Sequence, residues 1–171
     1  MNTDRMTGFL WGPFSRICAL TAVLSFAVDQ AHKWWMLVVY QIKTRGRVPI
    51  TPFMDFIYVL NKGVSFGTFS WVGPWLLLAF AVVTAIGLWI WVARAGTGPL
   101  MAISLGLVIG GALANGLDRM LHGGVVDYLS LHVFGFYWYV FNIADAAIVA
   151  GVVGLLYDSY LTSRNDASNA A

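Results

Sequence analysis

The sequence predicts a mainly α-helical membrane protein with four transmembrane helices and a small β-rich insert between the first two. Two observations support this prediction. Of the 171 residues, 59% are hydrophobic and only 11% are charged, whereas an average soluble domain has about 25% charged residues. The few charges also separate four apolar stretches of about 20 residues, the length that a helix needs to cross a bilayer. We therefore expect residues 1–171 to form a single integral membrane domain.

The first predicted span covers about residues 9–28 and is interrupted by one charge, Arg16. The long stem of an arginine lets its guanidinium reach the membrane surface, so a span that begins near Arg16 is tolerated. The apolar run after Arg5 also has features of a cleavable export signal, because Ser25 and Ala27 on either side of Phe26 resemble a small-residue cleavage site. Because Arg16 interrupts that run and three further spans follow it, we expect the segment to be retained.

The second and third predicted spans cover about residues 74–93 and 99–117. The second lies within 31 residues, between Lys62 and Arg94, that contain no Lys, Arg, Asp or Glu. The third is rich in Gly and Ala, which allow another helix backbone to approach closely in lipid. We therefore expect the third span to be an interior helix.

The fourth predicted span covers about residues 137–157, has Tyr at both ends and contains a single charge, Asp145. Aromatic residues at both ends suit the two membrane interfaces. An ionisable residue at membrane depth is costly, and for that reason it usually has a function. Asp145, placed about two turns inside this span, is thus a candidate site residue.

The predicted insert, about residues 33–73, lies outside the membrane. Residues 53–60 mix Phe, Ile, Tyr and Val and are followed by Gly63 and Gly67, so we expect short strands there. Between the third and fourth spans, a glycine pair at 123–124 predicts a turn and a short connector. The Lys and Arg count in the loops favours external termini, but charges within a folded insert report topology poorly, so charge leaves the orientation open.

Several classes of protein and site are disfavoured. A net charge of +2 without a basic block argues against nucleic-acid binding. Cys18 is the only cysteine, so the chain can form neither an internal disulfide nor a cysteine-based metal site. The three histidines, His32, His122 and His132, lack a tight metal-ligand spacing.

The most informative acidic residues are Asp127 and Asp145. Asp127 follows the glycine turn that leads back to the membrane, and the 18 residues of connector and helix start from 128 to 145 can bring the two side chains together. Two carboxyl groups about 3 Å apart cannot both ionise, so one keeps a proton while the other activates water. Such a pair suits amide hydrolysis at the membrane surface. Ion or proton transport and a purely structural role are the alternatives that residue spacing leaves open.

Five sequence blocks together resemble the successive motif blocks of lipoprotein signal peptidase, the type II signal peptidase of bacteria. In order they are DQAHK (29–33), NKGVSFG (61–67), GGALANGLDR (110–119), GGVVDY (123–128) and FNIAD (141–145). Five blocks in this order and spacing are far more specific than any one of them. The departures are small: Tyr128 replaces the commoner Phe, Ala114 the commoner Gly, and Val64-Ser65 a frequent pair of alanines.

The resemblance implies that Asp127 and Asp145 are the catalytic aspartates. It also implies that Asn115 and Arg119 contact the substrate and that Asp118 supports Arg119. The full set implied to line or brace the site is Asp29, Lys33, Asn61, Gly63, Asn115, Asp118, Arg119 and Asn142. No cofactor or metal is implied.

The same resemblance implies a substrate and a location. The substrate would be a prolipoprotein whose cysteine carries a diacylglyceryl group, and cleavage would occur on the N-terminal side of that cysteine, which releases the signal peptide. The chain would lie in the bacterial cytoplasmic (inner) membrane, with both termini in the cytoplasm, an extracytoplasmic insert and the site near the outer face. We expect a monomer whose partners are this substrate and membrane lipids, with no nucleic acid.

Overall fold

Four α-helices and a four-stranded sheet form the part of the chain that the structure describes. The computed structural model describes residues 10–63, 73–94 and 98–169. The predicted start of the first span at residue 9 and residues 64–72 of the insert, with Gly67, lie outside the described residues. The helices are α1 (Ser15–Trp34), α2 (Pro74–Arg94), α3 (Pro99–His122) and α4 (Ile143–Asn169).

Three of the described helices, α2, α3 and α4, are long and apolar enough to cross a bilayer. Helix α1 is less apolar than these helices because it carries three charged residues, Arg16, Asp29 and Lys33. Asp29 and Lys33 are 0% and 2% exposed, whereas Leu20 and Val23 are 62% and 66% exposed. Polar residues inside and apolar residues outside suit a helix surrounded by lipid.

Helix α3 is the central helix. In its most apolar stretch of 18 residues, 56% of the residues are buried, against 17% in the corresponding stretch of α2 and 11% in that of α4. Gly106 and Gly110 lie against the backbone of α1, and Gly111 lies against the backbone of α4. These small residues let α1 and α4 approach α3 closely, and such packing drives helix association in lipid. The prediction of an interior third helix is confirmed.

The sheet takes its strands from two separate connections. The strands are β1 (Val48–Thr51) and β2 (Met54–Asn61) between α1 and α2, and β3 (Val125–Val133) and β4 (Phe136–Phe141) between α3 and α4. They pair antiparallel in the order β1-β2-β3-β4. The strand predicted at residues 53–60 is confirmed as β2. The insert nevertheless supplies only half of the sheet, because β2 pairs with β3 of the other connection.

The ends of the predicted spans differ from the observed helices. The predicted fourth span, residues 137–157, begins too early, because α4 starts at Ile143 and the residues before it form β4. The sequence FYWYVF of β4 is aromatic and β-branched, which favours a strand. Helix α1 continues to Trp34, so Lys33 is helical and does not open the insert. Helix α3 extends past residue 117 to His122, where Gly123 with a φ of 71° ends it.

The close crossing of α3 and α4 can be tested with a matched pair of glycine variants. A Cβ at Gly111 would lie 2.6 Å from the carbonyl oxygen of Ala144, whereas a Cβ at Gly87 would meet nothing within 4 Å. We expect Gly111→Ala to lower the free energy of unfolding by about 1–3 kcal/mol, the usual cost of overpacking. Gly87→Ala should leave stability unchanged or raise it, because Ala is the better helix former. Thermal unfolding in detergent measures both, and equal midpoints would contradict the crossing.

Candidate active site

A polar cavity of about 250 Å³ lies between the sheet and helices α3 and α4. Its lining comes from β2, α3, β3, β4 and α4, so tertiary structure assembles it from distant parts of the sequence. The polar residues that line it are Asn61, Asn115, Arg119, Asp127, Tyr139 and Asp145. The structure therefore brings the two predicted aspartates to a common cavity.

Asp127 lies on β3 and is 2% exposed. Its Oδ1 accepts a hydrogen bond from Nδ2 of Asn142 at 2.6 Å, and its Oδ2 accepts one from Nδ2 of Asn61 at 3.1 Å. Burial, and then the negative charge of Asp145, raise the pKa of Asp127 to about 7, although both amide hydrogen bonds act to lower it. A carboxyl group with this pKa carries a proton for part of the time at neutral pH.

Asp145 lies in the first turn of α4, not two turns inside a span as predicted. Asn142 precedes the helix, and its Oδ1 accepts a hydrogen bond from the backbone N–H of Asp145 at 3.0 Å. In return, the backbone N–H of Asn142 donates to Oδ2 of Asp145 at 3.2 Å. This reciprocal pair is a capping box with Asp in place of the usual Glu or Gln. Nδ2 of Asn115 donates to the remaining oxygen, Oδ1, at 2.8 Å, so both oxygens of Asp145 are held in place.

Asn142 contacts both carboxyl groups. Its side-chain nitrogen donates to Asp127, and its backbone nitrogen donates to Asp145. The same side-chain nitrogen lies 3.1 Å from Oδ1 of Asn115, and Asn142 is fully buried. One residue thus couples the position of Asp127 on the sheet to that of Asp145 on the helix.

A buried ion cluster adjoins the cavity. Nζ of Lys33 lies 2.8 Å from Oδ2 of Asp29 and 2.7 Å from Oδ2 of Asp118, and the three side chains are at most 3% exposed. Oδ1 of Asp29 accepts the backbone N–H of Ala144 at 2.8 Å. Oδ2 of Asp118 accepts the backbone N–H of Val126 at 3.0 Å. Charged residues of α1 and α3 therefore also hold the starts of α4 and β3.

Asn115 connects this ion cluster to the acidic pair. Nζ of Lys33 donates to Oδ1 of Asn115 at 3.1 Å, and Asn142 donates to the same oxygen. Because the amide oxygen faces these donors, the amide nitrogen of Asn115 faces Asp145. The ion cluster thus determines the orientation of the Asn115 side chain.

Arg119 lines the cavity and joins α3 to the residues that follow β2. Its Nη1 donates to the carbonyl oxygen of Asn115 at 2.9 Å, and its Nη2 donates to that of Gly63 at 3.0 Å. Its Nε is buried and has no partner among the described residues. Asp118 is directed to Lys33, so the expected support of Arg119 by Asp118 does not take the form of an ion pair.

Four residues near the site escaped the sequence prediction. Nε2 of Gln30 donates to Oδ1 of Asp118 at 2.9 Å. Nδ1 of His32 lies 2.9 Å from the hydroxyl of Tyr128, and the two rings stack with their centroids 5.1 Å apart. Tyr139 lines the cavity. Membership of a motif block could have indicated the first three, but Tyr139 stands in an aromatic run in which nothing distinguishes it.

The histidines lie apart in the structure. His32 contacts Tyr128, Nε2 of His132 lies 3.1 Å from Oδ1 of Asp55, and His122 lies at the end of α3. Within residues 10–63, 73–94 and 98–169, no group of three His, Cys, Asp or Glu side chains is placed to hold a metal. The chemistry that this cavity offers comes from two carboxyl groups, several amide donors and a guanidinium group.

The chain is similar to lipoprotein signal peptidases in sequence and to a solved bacterial membrane enzyme in structure. The family model described as signal peptidase (SPase) II matches residues 21–161. The lipoprotein signal peptidase of Rhodopseudomonas palustris (strain TIE-1) is 48% identical over 153 residues, which cover 85% of this chain and 93% of that protein. The lipoprotein signal peptidase of Methylorubrum extorquens (strain PA1) is 46% identical over 157 residues, which cover 90% and 88%. A solved bacterial membrane enzyme matches with a TM-score of 0.77 at 25% identity, over 86% of this chain and 90% of that one.

The role of the ion cluster can be tested by removing its cation. Lys33→Met leaves Asp29 and Asp118 buried without a positive partner, so we expect it to lower the free energy of unfolding by about 3–5 kcal/mol. The double variant Lys33→Met/Asp29→Asn should recover part of this loss, because one uncompensated carboxylate is gone. Lys62→Met changes an exposed lysine and is the matched control. The measurement is unfolding in detergent, and wild-type stability in Lys33→Met would show that the cluster does not brace the site.

Proposed function

We propose, because the chain belongs to the signal peptidase II family, that it removes the signal peptide from diacylglyceryl-modified prolipoproteins by cutting on the N-terminal side of the lipidated cysteine. Membership of this family makes the chain a peptidase, and it decides against the transport and structural alternatives. The observation that carries the proposal is the meeting of Asp127 and Asp145 at one cavity, where both are hydrogen-bonded to Asn142.

We assign Asp127 and Asp145 as a catalytic pair that holds one proton. The ionised carboxylate takes a proton from water as the water oxygen attacks the scissile carbonyl carbon, and the protonated carboxyl group donates to the carbonyl oxygen. When the tetrahedral intermediate collapses, the C–N bond breaks and the amine of the lipidated cysteine takes the proton from the carboxyl group that deprotonated the water. The other carboxylate recovers a hydroxyl proton from the intermediate, which restores the starting pair. The raised pKa of Asp127, about 7, supports a proton shared by the pair.

The other polar residues of the cavity have supporting roles in this proposal. The unpaired Nε of Arg119 is a donor for a substrate carbonyl, and binding would satisfy a buried group that is costly to leave unpaired. The backbone N–H of Gly63 donates to Oδ1 of Asn61 at 3.1 Å, which directs the Asn61 amide nitrogen to Asp127. Asn115 contacts both Asp145 and the ion cluster. Lys33, through Asn115, is therefore a positioning residue.

We propose four membrane spans with both termini in the cytoplasm and the cavity on the outer side of the bacterial inner membrane. The cavity lies where α1 and α3 end and α4 begins, and both connections that supply the sheet leave the helices at that end. Four spans place the chain ends together on the opposite side. A cavity at the end of the bundle can hold water, which the centre of a bilayer lacks. A lipid-modified substrate would reach it by lateral diffusion, and a monomer is sufficient because one chain supplies both aspartates.

The proposed function predicts cleavage that depends on the lipid and on both aspartates. Purified wild-type protein should cleave a diacylglyceryl-modified precursor and leave the unmodified precursor intact. Asp127→Asn and Asp145→Asn should each lower the rate at least about 100-fold, because each removes an acid–base group. The measurement is the release of signal peptide, resolved by gel or mass spectrometry.

Asp158→Asn, a change on α4 three turns beyond the site, is the matched control for this experiment and should retain wild-type activity. Thermal unfolding of each variant separates a loss of chemistry from a loss of folding. Wild-type rates in both site variants would remove the two aspartates from the mechanism. Equal cleavage of the modified and unmodified precursors would refute the proposed substrate class.

A pair that shares one proton also predicts a bell-shaped dependence of the rate on pH. At low pH both carboxyl groups are protonated and no base is left, and at high pH the shared proton is lost. Since the pKa of Asp127 is raised to about 7, the alkaline limb should begin near neutral pH. Asn61→Ala removes a hydrogen bond that lowers the pKa of Asp127, so the alkaline limb should move to higher pH. Rates measured from about pH 4 to 9 test this, and a flat profile or a shift to lower pH would contradict it.

A further inference from the structure

An exposed pair of cations, Lys43 and Arg45, lies just beyond the end of α1. Helix α1 passes into a single π-helical turn, Trp35–Val39, in which Val39 is 54% exposed. A side chain this apolar and this exposed suits contact with lipid at the end of a membrane helix. A 3₁₀ turn, Ile42–Thr44, follows, and both cations are exposed there. The pair therefore lies a few residues beyond the last lipid-facing side chains, at the level expected for phospholipid headgroups.

Aromatic rings hold Arg45 near the end of α1. The rings of Trp35 and Tyr40 stack with their centroids 5.4 Å apart, and the guanidinium carbon of Arg45 lies 4.4 Å from the centroid of the Tyr40 ring. Nε of Arg45 also donates to the carbonyl oxygen of Tyr40 at 2.6 Å. Tryptophan prefers the boundary between hydrocarbon and headgroups. The contacts through Tyr40 thus keep the guanidinium group beside that boundary.

The pair offers hydrogen-bond donors that the protein does not use. Within residues 10–63, 73–94 and 98–169, neither Lys43 nor Arg45 forms an ion pair. Nζ of Lys43 lies 5.2 Å from the centroid of the Tyr58 ring, so its closest described contact is a ring face and not an oxygen. Arg47 differs from the pair, because its Nη1 lies 2.7 Å from Oδ2 of Asp55.

The positive charge of this segment is not balanced by the protein. No Asp or Glu occurs between Asp29 and Asp55 in the sequence. Of the cations in that stretch, Lys33 is paired within the ion cluster and Arg47 is paired with Asp55, which leaves the exposed pair uncompensated. Short loops on the outer side of a membrane usually carry few Lys and Arg residues. Two unpaired cations in this position therefore indicate an anionic ligand.

We propose that Lys43 and Arg45 bind the phosphate group of an anionic phospholipid, in the leaflet at the cavity end of the helix bundle. This inference goes beyond the proposed function, because the lipid is not the substrate and its binding requires neither catalytic aspartate. A guanidinium group matches a phosphate with two parallel hydrogen bonds, and a lysine adds a point charge. A zwitterionic headgroup carries its own cation, which offsets the attraction, so the site favours a lipid with net negative charge.

The surroundings of the pair favour a lipid over a free phosphate ion. Trp34 and Val38, on the side of the pair towards the bilayer, are 60% and 55% exposed. Exposed apolar side chains can contact the acyl chains of a lipid whose phosphate reaches the two cations. A free phosphate would use only the cations and would lose these apolar contacts.

The test measures lipid binding to the full chain by native mass spectrometry. Delipidated protein in detergent is titrated with dioleoylphosphatidylglycerol, which is anionic, or with dioleoylphosphatidylcholine, which is zwitterionic. We expect the wild type to bind the anionic lipid more tightly. The double variant Lys43→Gln/Arg45→Gln should bind the anionic lipid about 25-fold more weakly, because each cation near an anionic lipid surface contributes about fivefold. Its affinity for the zwitterionic lipid should match that of wild type.

Two variants serve as controls. Lys43→Arg keeps the charge and should keep the preference for the anionic lipid. Arg164→Gln removes one exposed cation near the other end of α4 and should bind the anionic lipid as the wild type does. Three results would overturn the inference: equal affinity of the wild type for the two lipids, wild-type binding by the double variant, and a loss in Arg164→Gln as large as the loss in the double variant. The last result would mean a response to net charge and not to a site.

A second measurement locates the lipid and identifies its source. Wild-type protein is mixed with phosphatidylglycerol that carries a photoreactive diazirine in its headgroup, and the crosslinked residues are identified by mass spectrometry. We expect crosslinks to residues 38–47, and an excess of inorganic phosphate should leave them in place. Crosslinks confined to the far end of α4, or their loss with phosphate alone, would overturn the site as a lipid site. Neither measurement uses a prolipoprotein, so a failure of the proposed cleavage is a separate result.

Discussion

The site depends on the contact between Lys33 and the two buried carboxylates of Asp29 and Asp118. Leaving any of these charges buried without its partner would cost about 3–5 kcal/mol, so the three are stable in the bundle only together. Asp29 also accepts the backbone N–H of Ala144, and Asp118 accepts that of Val126. Ala144 and Val126 directly precede the two catalytic candidates in the sequence. The ion cluster therefore fixes the backbone of α4 and of β3 one residue before each acidic side chain of the cavity.

The balance of charge around the cavity explains why one proton should be retained there. Lys33 and Arg119 contribute two positive charges, and Asp29 and Asp118 contribute two negative ones. These charges cancel, so no net positive charge is left to stabilise two ionised carboxylates at the cavity. Burial and the charge of Asp145 then raise the pKa of Asp127 to about 7, while amide hydrogen bonds limit the rise. A proton that is held near neutral pH but exchanged easily is what general acid–base catalysis requires.

Sequence patterns predicted the helices, and the meeting of Asp127 and Asp145 at one place, better than they predicted the boundaries and the pairing of the strands. Hydropathy measures only apolar character, and the aromatic residues of β4 are apolar enough to have been assigned to the predicted fourth helix. What separates strand from helix is the local hydrogen bonding of Asn142, which an average over 20 residues does not detect. The hydrogen bond between Asn61 and Asp127 joins residues 66 positions apart, and no local pattern predicts such a contact. Tyr139 was not predicted for a related reason. It lines the cavity because of the side of the sheet on which it lies, and the local sequence does not show which side that is.

The start of α4 at Ile143 also places a polar and an apolar surface next to each other. The capping box turns the carboxylate of Asp145 towards Asn142 and Asn115, while Ala146 and Val149 line an apolar groove between the β3–β4 hairpin and α4. One helical turn thus presents a polar surface on one side and an apolar surface on the other. A helix that began at residue 137 would place Asp145 about 12 Å from its start, at a rise of about 1.5 Å per residue, with its first-turn donors replaced by intrahelical hydrogen bonds. The carboxylate would then lie away from the amide groups of Asn142 and Asn115 that position it at the helix start.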